Sequence, residues 1–101
     1  MELLQVDPSS GFRLLAGTNR SQAATMVLGP GESTGGPNNR HASSDQWLYV
    51  VSGEGRAILE GTEYELEAGS LLLIEAGEAH EISSAGEQPL KTLNVYAPPE
   101  Y

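Results

Sequence analysis

Residues 46–83 read QWLYVVSGEGRAILEGTEYELEAGSLLLIEAGEAHEIS, and this stretch decides the fold. Short runs rich in β-branched, aromatic and leucine residues are cut at close intervals by turn chemistry. The turns fall at Ser52-Gly53-Glu54-Gly55, Gly61, Ala68-Gly69 and Ala76-Gly77, where glycine supplies positive φ at little steric cost. The pattern predicts strands at Gln46–Val51, Arg56–Leu59, Thr62–Leu66, Ser70–Ile74 and His80–Ser83. Working outward, the same signals predict strands at Phe12–Ala16, Thr25–Leu28 and Leu90–Tyr96. No window carries the i, i+3, i+4, i+7 apolar stripe of an amphipathic helix. Short strands joined by tight turns form an antiparallel sandwich or barrel, so the fold class is all-β.

The faces of these strands differ. Glu63, Glu65 and Glu67 alternate with Tyr64 and Leu66, as in a strand with one solvated face. Trp47-Leu48-Tyr49-Val50-Val51 and Leu71-Leu72-Leu73-Ile74 are apolar on both faces. One set fills the barrel, and the other needs a cover. With no helices to supply it, a second copy of the chain is expected there. That predicts a homodimer with Trp47, Tyr49, Leu71 and Leu73 near the interface. The alternative cover is the N-terminal segment.

At 101 residues the chain is expected to be one domain, residues 1–101. Fourteen acidic residues against five basic ones give a net charge of −9. Such a charge opposes binding to nucleic acid or an anionic membrane surface. No apolar run is long enough to span a bilayer, and the opening MELLQVDPSS does not resemble a signal peptide. A cytoplasmic location is therefore expected. The absence of cysteine excludes disulfides, thiolate catalysis and zinc–sulfur sites. The first ten residues and the tail Pro98-Pro99-Glu100-Tyr101 are expected to be loosely held.

Chemistry centres on the two histidines, His41 and His80. His41 lies in the polar run from Pro37 to Gln46, just before the aromatic strand. His80 follows the Gly77 turn. Each stands at the start of a strand, where a side chain can point into a barrel mouth. Ser43, Ser44, Asp45 and His41 form no hydrolase triad, since no nucleophile elbow accompanies them. Gly29-Pro30-Gly31 lacks the lysine of a phosphate-binding loop. Parity puts Gln46, Leu48 and Val50 inward and Asp45 outward.

Gly69, five residues, Glu75, Ala76, Gly77, two residues and His80 reproduce the spacing of the second cupin motif, G-x5-P-x-G-x2-H-x3-N. Glu75 stands in place of its proline and Ser84 in place of its asparagine. The first motif, G-x5-H-x-H-x3,4-E-x6-G, is matched in part. Gly53 closes it, Gln46 stands at the glutamate, His41 at the second histidine and Asn39 at the first. Over roughly residues 26–96 the chain resembles the cupins. The resemblance implies an antiparallel double-stranded β-helix (a jelly-roll barrel) with a site at Asn39, His41, Gln46 and His80.

A complete family site of three imidazoles and one carboxylate suits Fe, Mn, Ni, Cu or Zn. Here Gln46 removes the only anionic ligand, and Asn39 exchanges an imidazole for a weak amide oxygen. Two readings follow from the resemblance. In one, a divalent transition metal sits in this degenerate site, keeps its full charge and favours an anionic small-molecule ligand. In the other, no metal binds, and His41, Gln46 and His80 form a hydrogen-bonding cluster for a small molecule.

Overall fold

A computed structural model describes residues 1–35 and 40–101 of the chain. The described residues contain eight strands and no helix. In chain order they are β1 (Phe12–Gly17), β2 (Gln22–Leu28), β3 (Asp45–Ser52), β4 (Gly55–Leu59), β5 (Thr62–Leu66), β6 (Leu71–Ile74), β7 (His80–Ser84) and β8 (Leu90–Ala97). Seven match the sequence expectation to within a residue at either end. β2 begins earlier than predicted, at Gln22. Ala23 and Ala24 are weak strand formers, but they pair with Val95 and Asn94 of β8, and sheet pairing overrides local preference.

All pairings are antiparallel and form two sheets. The larger runs β1-β2-β8-β3-β6 and the smaller β5-β4-β7. An isolated antiparallel bridge from Ser33 to Ser83 places the segment after β2 alongside β7. The sheets face each other across a core that includes Leu48, Val50, Leu66, Ile74, Ile82 and Leu90. Strand alternation explains this set. β3 and β8 each expose every second residue and bury the ones between.

The turn after β3 leaves no room for a side chain. Gly53 has φ 88°, and a Cβ there would collide with the Pro89 carbonyl. That close approach sets the end of β3 against the start of β8. The opposite end of the barrel brings the starts of β3 and β7 to the end of β8. Gln46, His80 and Tyr96 are all buried there.

The outer face of the larger sheet is apolar. Leu73, Trp47 and Val95 form one cross-strand row, and Leu71, Tyr49 and Leu93 the next. Trp47, Tyr49, Leu71 and Leu73 remain 37–62% exposed, so the N-terminal segment does not cover them. Outward parity also holds for Glu63, Glu65 and Glu67, which are all exposed.

Candidate functional site

The structure brings His41, Gln46 and His80 together, as parity and motif spacing predict. Asn39, the fourth expected member, lies outside the described residues. The imidazole rings of His41 and His80 are 4.8 Å apart between centroids. The Gly77 N–H donates to the His41 carbonyl at 2.7 Å, which ties the His41 segment to the turn that carries His80. Asp45 points outward as expected, and its carboxylate accepts from the Ala76 N–H at 2.9 Å. Arg40 also turns away, donating to the Gly77 carbonyl.

A polar relay crosses the inner face of the larger sheet. Thr92 Oγ1 donates to the Met26 carbonyl at 3.4 Å. A carbonyl can only accept, so the Thr92 oxygen is left to accept from Asn94 Nδ2, at 3.0 Å. Asn94 Oδ1 then accepts from Gln46 Nε2 at 3.1 Å. Gln46 Oε1 in turn accepts from His41 Nε2 at 3.0 Å. The direction of each bond follows from the last, and His41 carries its proton on Nε2. Thr92 and Asn94 are fully buried, and an unpaired polar group at that depth would cost about 1–3 kcal/mol.

His80 takes the other tautomer. Its Nδ1 lies 3.1 Å from the Glu78 carbonyl, to which it donates. Nε2 then carries a lone pair, and no hydrogen-bond partner meets it among the described residues. Burial pulls the His80 pKa below the ordinary histidine value, and the bond to Glu78 offsets part of that effect.

The tail is not loose. Ser44 Oγ donates to the Pro98 carbonyl at 2.7 Å. The Gln22 amide clamps Tyr101, donating to its carbonyl at 2.9 Å and accepting from its N–H at 3.0 Å. Between these anchors the Glu100 carboxylate approaches His41 Nδ1 to 3.6 Å. Sequence spacing alone puts no anion at this site, whereas the folded tail delivers one. The Tyr101 ring lies 4.9 Å from Phe12 and 5.2 Å from Tyr96. Burial, and after it the neighbouring Tyr101, pushes the Tyr96 phenol well above its ordinary value. His41, Gln46, His80, Phe12, Tyr96 and Tyr101 are among the residues that line a cavity of about 390 Å³. Its size falls in the range that holds small molecules.

The model for the cupin domain matches residues 24–96 of this chain. The chain is a cupin. Its two facing antiparallel sheets are the double-stranded β-helix that the motif spacing implies. Among relatives, the tetracenomycin polyketide synthase protein TcmJ of Streptomyces glaucescens is 31% identical over 73 residues, 72% of this chain and 48% of that protein. The chain spans about half the length of the curated relatives it matches. Among solved structures, BH2720 of Bacillus halodurans superposes with a TM-score of 0.86 at 28% identity, covering 91% of this chain and 73% of that one. A predicted oxalate decarboxylase of Thermotoga maritima gives 0.74 at 29% identity, covering 80% and 70%.

The cupin resemblance implies a metal, and the donor set here departs from what one needs. His41 has committed its Nε2 proton to Gln46, and Gln46 presents a neutral amide oxygen already in use. Among the described residues no three histidine, aspartate, glutamate or cysteine side chains cluster closely enough to hold an ion. Among the described residues, His80 Nε2 offers a lone pair at the floor, whereas His41 Nδ1 faces the Glu100 carboxylate. As arranged, these residues do not fit a resident divalent ion unless the relay breaks.

Proposed function

We propose that this cupin binds a small organic molecule between its sheets, with His41 and His80 at the polar floor of the pocket. The observation that carries this reading is the relay from Met26 to His41. It invests three buried polar side chains, Thr92, Asn94 and Gln46, in fixing one imidazole, at a depth where an apolar core would serve stability equally well. The tail supports the same reading, since its anchors hold aromatic rings beside the floor. The one acid–base step this donor set supports is transfer of a proton from a bound hydroxyl to His80 Nε2. The relative TcmJ belongs to a polyketide synthase, in keeping with a small-molecule pocket.

A divalent transition metal is the second reading, favoured by the open Nε2 of His80 and the 4.8 Å separation of the two rings. Elemental analysis of untagged protein, purified without chelators and again after reconstitution with each ion, separates the two. The pocket reading expects substoichiometric metal, together with small-molecule hits in a thermal-shift panel that survive chelation. Near-stoichiometric metal that is lost in His41→Ala and His80→Ala would overturn it in favour of the metal centre. Gln46→Glu would then tighten the ion by restoring a carboxylate.

We also propose that two copies associate through the outer face of the larger sheet. The exposed rows around Trp47 and Tyr49 support this, because they lie flat and side by side with no cover from their own chain.

A further inference from the structure

We infer that the pocket selects an uncharged ring compound bearing a hydroxyl, with His80 Nε2 accepting the hydroxyl proton and Glu100 keeping carboxylic acids out. This rests on the pocket reading above and goes on to name the ligand class.

Hydrogen-bond capacity comes first. His80 donates Nδ1–H to the Glu78 carbonyl, so the edge left for a ligand is an acceptor. His41 donates Nε2–H to Gln46, and Gln46 donates onward to Asn94. The imidazole edge left at the floor therefore offers a lone pair to a ligand, while the N–H of each ring is engaged. A carboxylate, which only accepts, finds no match there. A phenol or enol does.

Charge points the same way. The Glu100 carboxylate stands 3.6 Å from the Nδ1 edge of His41. Glu32 lines the mouth, held in place by the Gly29 N–H. No lysine or arginine lines the cavity among the described residues, and the four residues outside them, Gly36, Pro37, Asn38 and Asn39, have no ionisable side chain. An incoming anion would meet the Glu32 carboxylate in the lining and the Glu100 carboxylate behind the His41 ring, at a site where partial burial weakens solvent screening.

The walls supply the ring. Phe12, Tyr101 and Tyr96 stand in sequence, tilted 55° and 80° to one another. Such edge-to-face steps leave a flat aromatic guest both a face and an edge to pack on. The Gln22 clamp on Tyr101 makes this wall a fixed part of the pocket.

Three probes with the same ring test the assignment. Phenol donates a hydrogen bond, anisole cannot, and benzoate is an anion. Each is titrated at pH 7.5 into the ¹⁵N-labelled protein and into Glu100→Gln, following backbone signals around His41, His80 and Tyr96. Phenol is expected to shift these signals in both proteins. Anisole is expected to bind at least about tenfold more weakly, equivalent to about 1.4 kcal/mol. Benzoate is expected to bind the parent protein at least about tenfold more weakly than phenol and to gain at least about fivefold in Glu100→Gln. Anisole equal to phenol overturns the acceptor role of His80. Benzoate equal to phenol in the parent protein, or unmoved by Glu100→Gln, overturns the role of Glu100. If all three leave these signals still while compounds of another chemistry shift them, the ligand class falls and the pocket stands. If no compound shifts them, the pocket reading falls with it.

Discussion

Strand β3 shows two faces of opposite chemistry. Its buried side begins with Gln46, an amide held in a relay of polar groups, before passing to Leu48 and Val50. Its exposed side carries Trp47, Tyr49 and Val51, each more than two-fifths exposed. At its first residues the strand is thus polar inside and apolar outside, the reverse of what a lone barrel needs for stability. On the proposed readings, the inner reversal meets a small molecule and the outer one a second copy.

The relay is where this contrast can be broken hardest. Asn94→Ala strands the Gln46 amide and the Thr92 hydroxyl and leaves a small void. A loss of about 3 kcal/mol is expected in a denaturant titration. The double variant Gln46→Leu with Asn94→Leu should lose less than the two single changes added together, because both ends of one bond then disappear together. Strict additivity would mean that the relay does not act as a unit.

The outer face should respond in association rather than in folding. Tyr49→Glu puts a charge in the middle of the apolar rows and should weaken dimerisation about 100-fold in sedimentation, with the denaturation midpoint of the monomer little changed. A parent protein that stays monomeric at micromolar concentration would remove the outer half of the comparison.

Acid offers a gentler way to tell the faces apart, since only the inner one titrates near neutrality. Burial holds His80 below its unfolded value of 6.5, so as pH falls the unfolded chain takes up the proton first. The stabilisation from keeping His80 neutral is complete above about pH 6.5 and is lost as the pH falls toward the lower folded value. Melting temperature should therefore drop from pH 7.5 toward 5.5, and His80→Gln should flatten that part of the curve. An unchanged slope would assign the acid sensitivity to other groups.

Ser84 should give the smallest effect. It stands where the family pattern has asparagine, and its buried hydroxyl has no partner among the described residues. Ser84→Ala should therefore fall within about 0.5 kcal/mol of the parent or slightly stabilise it. A loss above about 1 kcal/mol would reveal a hydrogen bond there, to water or to the loop.

Much of the architecture was legible because alternation and glycine spacing are local signals. Parity alone oriented Gln46, Leu48 and Asp45 correctly, and the spacing from Gly69 to His80 placed the second histidine. The rest depended on partners far away in the chain. Thr92 and Asn94 share parity with Leu90 and Tyr96, and two polar residues in a buried row were a signal that could have been read. What they bond to is set by the pairing of β8 with β2 and β3. The tail gave no such hint. Pro98-Pro99-Glu100-Tyr101 has the composition of a frayed end, and hydrogen bonds from Ser44 and Gln22, in distant parts of the chain, help hold it against the mouth. The outer face was readable as apolar, but a sequence does not show what covers it.

The order of strands in the larger sheet has a consequence for how the molecule is made. β8, the last strand in the chain, is also the middle strand of its sheet, flanked by β2 and β3. On the ribosome β2 and β3 emerge long before it and wait without their shared neighbour, each with an open edge toward the missing strand. Closure of this sheet is therefore a late, long-range event. Until residues 90–97 are available, those two edges are the parts of the nascent chain most in need of a chaperone.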